Sequence, residues 1–125
     1  MQAYQIELYE TADGKCPYSD WLDNLKDNAA KSKIMVRMER ASLGNMSKVE
    51  SVGAGVFEFK IDFGPGYRVY FGLDEKEQKI ILLLCGGTKK KQQKDVDQAQ
   101  LYWKEAKAEK RAERRGNNAK KKLPR

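Results

Sequence analysis

The sequence predicts a single α+β domain whose elements run β-α-α-β-β-β-α. Three observations support this reading. Residues 17–43 carry apolar side chains at helical spacing, residues 56–85 hold three β-like runs separated by turn residues, and a helical pattern returns from about residue 92. Strands grouped between helices, rather than alternating with them, point to an α+β chain. At 125 residues, 40% apolar and 10% aromatic, the chain has material for one modest core.

"YQIELY" at 4–9 alternates as a strand does, and "ADGKCP" at 12–17 is a turn with Pro17 placed to open a helix. Tyr18, Leu22 and Leu25, with Trp21 beside them, form an apolar stripe, and the helix is expected to run on past Ala29 and Ala30. From 32 to 43 the pattern repeats, with Ile34, Met38 and Ala41 on one face and Arg37 and Arg40 on another, ending at Gly44-Asn45. A loop holding Gly53 and Gly55 follows. Residues 56–63 then read as a strand, 64–66 as a turn, 67–73 as a strand, "DEKEQ" as a polar turn and 79–85 as a third strand. This third strand is apolar on both faces, so it is expected inside the sheet, with Gly86-Gly87 ending it.

The last helix begins near Gln92 and places Val96, Ala99, Trp103 and Ala106 on one face. Past Ala106 the large apolar residues disappear, while Lys104, Lys107, Arg111, Arg114 and Arg115 share a side. The expected division is a domain over 1–106 and a basic helical extension over 107–125, whose end "RGNNAKKKLPR" reads as frayed or disordered.

Charge is distributed unevenly. Residues 1–88 hold 11 Lys and Arg against 13 Asp and Glu, a balance of −2, whereas residues 89–125 hold 14 against 5, a balance of +9. The basic last third implies a polyanionic partner, most simply nucleic acid, or an acidic protein. The chain contains no histidine, which excludes Ser-His and Cys-His nucleophile pairs, histidine metal sites and the usual base near neutral pH. Cys16 and Cys85 lack CxxC spacing, so neither a disulfide nor a zinc site is expected, and the compartment implied is a reducing one. The longest apolar run, "IILLLC" at 80–85, is strand-sized; a soluble, cytoplasmic protein without membrane, metal or cofactor is expected.

Strand period decides which side chains meet. Phe57, Phe59, Ile61 and Phe63 share one face and Glu58, Lys60 and Asp62 the other; in the next strand Tyr67, Val69 and Phe71 form the apolar set. If the two strands pair as a hairpin, Arg68 and Tyr70 join Lys60 on the non-core face. Substitution of Arg68 is then expected to spare the fold. Such a face is either a solvated sheet surface, with Lys60 paired to Glu58, Asp62 or a neighbouring strand's charge, or a cationic site.

The stretches "FKIDFGPGYRVYF" and "LLCGGTKKKQQKDVDQA", with "WLDNL", "VRMERASLGN" and "VGAGVFEFK", resemble the RelE/HigB-type toxins of bacterial toxin-antitoxin modules, and within them the phage-derived addiction module killer proteins. The resemblance spans residues 4 to about 106. It implies a RelE-like fold, a small twisted and mainly antiparallel sheet packed against helices. It also implies a metal-independent endoribonuclease that cuts messenger RNA, commonly on the ribosome, and is held inactive by a cognate antitoxin protein. In that chemistry the ribose 2′-OH attacks the adjacent phosphate, which requires a base, an acid and cations that Lys, Arg and Tyr supply.

Carried over by position, Arg68 matches the arginine of the "GPGYR" motif and implies a clamp on the scissile phosphate. Lys60 stands where relatives often have arginine and implies a phosphate contact. Tyr70 implies base stacking or orientation of the 2′-OH. Lys89, Lys90 and Lys91 follow the Gly-Gly turn where relatives show a glycine-glycine-acid-lysine pattern, with Thr88 replacing the acid. Together with Arg37 and Arg40 they are the candidate RNA contacts. Two rivals share these residues: a ParE-like poison of DNA gyrase, and a non-catalytic module that binds nucleic acid or docks an antitoxin.

Overall fold

The structure, a computed structural model, describes the backbone of residues 4–75 and 79–122 and the side chains up to residue 112. Its elements are β1 (Gln5–Leu8), α1 (Pro17–Asn24), α2 (Asn28–Ser42), β2 (Val49–Gly53), β3 (Val56–Ile61), β4 (Tyr67–Asp74), β5 (Ile80–Thr88), a 3₁₀ turn (Lys89–Lys91) and α3 (Gln92–Lys122). They form a mixed α+β molecule with one five-stranded sheet in the order β1-β5-β4-β3-β2. All neighbours are antiparallel except β1 and β5, which run parallel.

The two helices that follow β1 are separate. Pro17 opens α1, and Leu25 leaves helical geometry at φ −67°, ψ 128°. Asp27 starts the second helix by accepting from the N–H groups of Ala29 and Ala30 at 3.0 and 3.2 Å. The expected continuous run past Ala30 is therefore broken at 25–27. Ala30, Ile34, Met38 and Ala41 of α2 then pack with Tyr18, Phe59, Ile61, Val69, Phe71, Ile81 and Leu83 in one buried cluster.

Three further differences from the sequence reading have physical causes. Residues 49–53, expected as loop, form β2, which pairs with β3 across a turn where Ala54 and Gly55 take φ of 55° and 81°. Its "VESVG" has only two apolar residues because it is an exposed edge, so periodicity is weak. Gly86 and Gly87 do not end β5; they pair with Val69 and Arg68. A Cβ on Gly86 would collide with the Trp21 ring, and one on Gly87 with the Asp95 carboxylate. Both glycines serve close packing.

The largest correction concerns the second face of the sheet, which was expected to be solvated. α3 covers it. Val96 and Ala99 of α3, with partly buried Trp103, pack on Val56, Tyr70, Leu84 and Cys85, forming a second cluster opposite the first. A register shift between Tyr70 and Phe71 turns both Leu84 and Cys85 into this cluster. The sheet thus lies between α1 and α2 on one side and α3 on the other, and β5 lies inside it between β1 and β4, as its doubly apolar sequence requires. α3 passes residue 106 without a break and continues through most of the stretch expected to fray. Residues 123–125, most of the expected 74–78 turn, and the side chains of Arg114 and Arg115 lie outside the described residues.

Candidate functional site

The chain reverses between β3 and β4 at Phe63-Gly64-Pro65-Gly66, a turn closed by Gly66 N–H donating to the Phe63 carbonyl at 3.0 Å. Gly64 and Gly66 hold φ of 55° and 82°, a region that favours glycine. The N–H of Lys89 donates to the Gly66 carbonyl at 2.8 Å, which draws the 3₁₀ turn against this reversal. Between them lies an open cleft of ≈ 380 Å³, walled by residues 62–66 with Arg68 and Lys89.

Arg68 sits at the base of the cleft and is only 6% exposed. Its Nη1 donates to the Tyr67 carbonyl at 3.2 Å, and its Nε lies 3.7 Å from Oε1 of Glu58. The latter contact is an ion pair too long for a hydrogen bond, so Nε has no hydrogen-bond partner. Glu58, 1% exposed, is held from the other side by the Gln92 amide, which donates to its two oxygens at 3.0 and 3.2 Å. The guanidinium is thereby held in place by the Tyr67 carbonyl and the Glu58 carboxylate.

Lys60 is directly opposite Arg68 in the β3–β4 ladder, as hairpin pairing requires. Its ammonium, on a side chain 28% exposed, pairs with Glu50 of β2 at 2.8 Å. Lys89, Lys90 and Lys91 are exposed on the 3₁₀ turn, and among the described residues none of the three has an acidic partner within ion-pair distance. Asp62 at the rim accepts from Lys48 at 3.0 Å, and this bond holds its carboxyl below the ordinary aspartate range, with Arg68 and Lys60 adding to the effect.

Tyr70 is elsewhere. It is fully buried under α3, and its hydroxyl has no hydrogen-bond partner. Burial, and then the charges of Glu58 and Asp95, push its pKa well above the ordinary phenol value. Asp95, with one oxygen equally unpaired, is pushed up by burial, and the nearby thiol of Cys85 is raised to about 12, first by burial and then by Asp95. Arg37 is occupied structurally: it donates to the Asn45 and Ser47 carbonyls at 3.0 and 2.5 Å and stacks 4.7 Å over the Phe59 ring. Arg40 is exposed at the end of α2.

The structure thus lines the cleft with Arg68 and Lys89, sets Lys60 opposite Arg68 in the ladder but outside the cleft's lining, and leaves Tyr70 and Arg37 away from it. Three contributors escaped sequence reasoning. Glu58 and Asp62 flank Lys60 equally on the same strand face, a signal for an acid beside Lys60 but not for one paired with Arg68; Gln92 and Phe63 carried none beyond their position beside the lysine run and the turn. Among the described residues no three His, Cys, Asp or Glu side chains are grouped to hold a metal ion, and no helix is long and apolar enough to cross a membrane. A second groove, ≈ 680 Å³, runs along α3 beside Ala54 and is lined by Gln100, Leu101, Lys104, Lys107 and Arg111 with Asp97.

Comparison with known proteins finds one family match, described as "Phage derived protein Gp49-like (DUF891)", over residues 20–115. A protein of Haemophilus influenzae described as uncharacterized is 44% identical over 88 residues, which is 70% of this chain and 87% of that protein. No solved structure matches.

Proposed function

Because the chain belongs to the family of phage-derived Gp49-like proteins, one associated with addiction module killer toxins, we propose that it is the toxin of a toxin-antitoxin pair and cuts messenger RNA without a metal ion. The observation that supports this most directly is Arg68, buried, paired with Glu58 and lining an open cleft with Lys89, while Lys60 stands opposite it in the β3–β4 ladder. A buried arginine whose donors are held in place suits a phosphate whose charge grows during reaction.

In the proposed reaction the ribose 2′-oxygen attacks phosphorus, the 2′-O–P bond forms and the P–O5′ bond breaks, leaving a cyclic phosphate and a free 5′-hydroxyl. Arg68 donates to the non-bridging oxygens. Lys60 leaves Glu50 to join it, and the ammonium of Lys89 protonates the departing 5′-oxygen, while water accepts the 2′-OH proton. No step is assigned to Tyr70. A cognate antitoxin is the partner that silences the cleft, and ribosomal RNA is the surface met by Arg40, Lys90 and Lys91.

The test is purified protein on a translated message and on isolated RNA, the second with excess chelator. Cleavage with cyclic-phosphate ends is expected, and Lys60→Ala and Lys89→Ala, both at partly or fully exposed positions, lower the rate on the order of a hundredfold without changing the melting temperature. Intact RNA under all conditions, together with inhibition of gyrase supercoiling, establishes the gyrase reading instead.

A further inference from the structure

At the end of β3 away from the cleft, α3 crosses the β2–β3 turn. The crossing is fixed on both sides: the Gln100 amide donates to the Val52 carbonyl at 3.0 Å, and the Trp103 ring lies so near Gly55 that a Cβ there would stand 2.7 Å from its Nε1. Beside this junction runs the groove of ≈ 680 Å³, with Ala54 on one side and Leu101, Lys104, Lys107 and Arg111 along α3. Leu101 is 54% exposed, and the three basic side chains are exposed as well. Among the described residues none of these three bases has an acid within ion-pair distance, and Asp97 at the head of the groove already accepts from Gln93 at 2.9 Å.

A solvated helix face is the simplest alternative. A self-sufficient face sets acids three or four residues from its bases, whereas here Lys104 is followed at three residues by Lys107 and that at four by Arg111, spacings at which like charges repel. An anionic partner that also carries an apolar residue relieves this repulsion and covers Leu101. Single-stranded RNA answers only the charge: its bases are held by aromatic stacking, and the rings of Tyr102 and Trp103 pack against the second cluster instead. We propose that the groove docks an acidic amphipathic helix of a partner protein, with an aliphatic residue seated against Leu101 and Ala54 and carboxylates three and four residues apart meeting Lys104, Lys107 and Arg111. From 104 to 111 the bases cover about 10 Å of α3, which two turns of the partner helix match. The inference stands on this groove and holds whether or not the chain cuts RNA.

The experiment uses the full chain at physiological salt and three probes. The first is a synthetic helical peptide of about 16 residues, long enough to hold a helix, with leucines on one stripe and glutamates beside them. The second has the same composition with that pattern scrambled, and the third is hexauridylate. Calorimetry is expected to show the patterned peptide binding about tenfold tighter than the scrambled one. Leu101→Ala should remove that difference. Lys104→Glu with Arg111→Glu should weaken the patterned peptide on the order of tenfold and restore binding to a peptide whose glutamates are replaced by lysine, a rescue that damage to the fold does not produce. Lys89→Ala, in the cleft, should leave peptide binding unchanged. Equal affinity for the two peptides, a preference that survives Leu101→Ala, or the absence of charge-swapped rescue overturns the proposal. If hexauridylate is the ligand that the double reversal releases while the two peptides bind alike, the groove is an RNA surface and the proposal falls.

Discussion

Arg68 and Glu58 show what burial does to a catalytic candidate. Each charge has lost nearly all contact with water, and the pair is held by a 3.7 Å ion contact plus the Gln92 amide. Removing one partner leaves the other charge buried and uncompensated, so Arg68→Ala is expected to lose about 3 kcal/mol of stability, contrary to the fold-neutral outcome that strand alternation alone suggests. Arg68→Lys keeps a cation near Glu58 and should lose less, while its activity falls because an ammonium lacks the planar fork. Urea unfolding of both variants beside the wild type decides it. Wild-type stability in Arg68→Ala would show that the pair contributes nothing net. For the same reason activity is better read at Lys60 and Lys89, where exposure separates function from folding.

At the level of elements, alternation and turn chemistry were legible. The paired faces of β3 and β4, the Gly-Pro-Gly reversal and the opposition of Lys60 to Arg68 follow from a period of two and a tight turn. β2 was not legible, because an edge strand with two valines carries little periodic signal. Nor was the end of β5: glycine reads locally as a terminator, whereas here the strand continues and the missing Cβ admits Trp21 and Asp95. Gly86→Ala is therefore expected to force Trp21 off α1's contact with β5 and to cost about 1–3 kcal/mol, the usual scale of overpacking, seen as a lower melting temperature. A variant that melts as the wild type would restore the terminator reading.

The whole molecule is asymmetric in charge. The +9 of residues 89–125 is carried mainly by the 3₁₀ turn and α3, whose first four turns cover the sheet while Lys104, Lys107 and Arg111 line the outer groove. The cleft and this groove both involve the β5–α3 end of the chain, so a single-stranded polyanion is expected to bind electrostatically. With about three phosphates neutralised, affinity for RNA should fall on the order of tenfold between 50 and 200 mM salt, read by a binding titration at several salt concentrations. A flat salt dependence would remove nucleic acid as the partner.

The sequence by itself determined the α+β class, the alternation of β3 and β4, the interior place of β5, the basic last third and the exclusion of histidine chemistry, because periodicity, turn residues and composition are properties of neighbouring positions. Only the tertiary structure decided that Arg68 is paired with Glu58, that Tyr70 is enclosed and that Phe63 shares a cleft with Lys89. The apolar stripe of α3 at Val96, Ala99 and Trp103 announces that this helix must pack, but it is compatible with either side of any sheet. Which face it covers depends on contacts between residues as far apart as Glu58 and Gln92, and that choice converts a predicted solvent surface into a buried one.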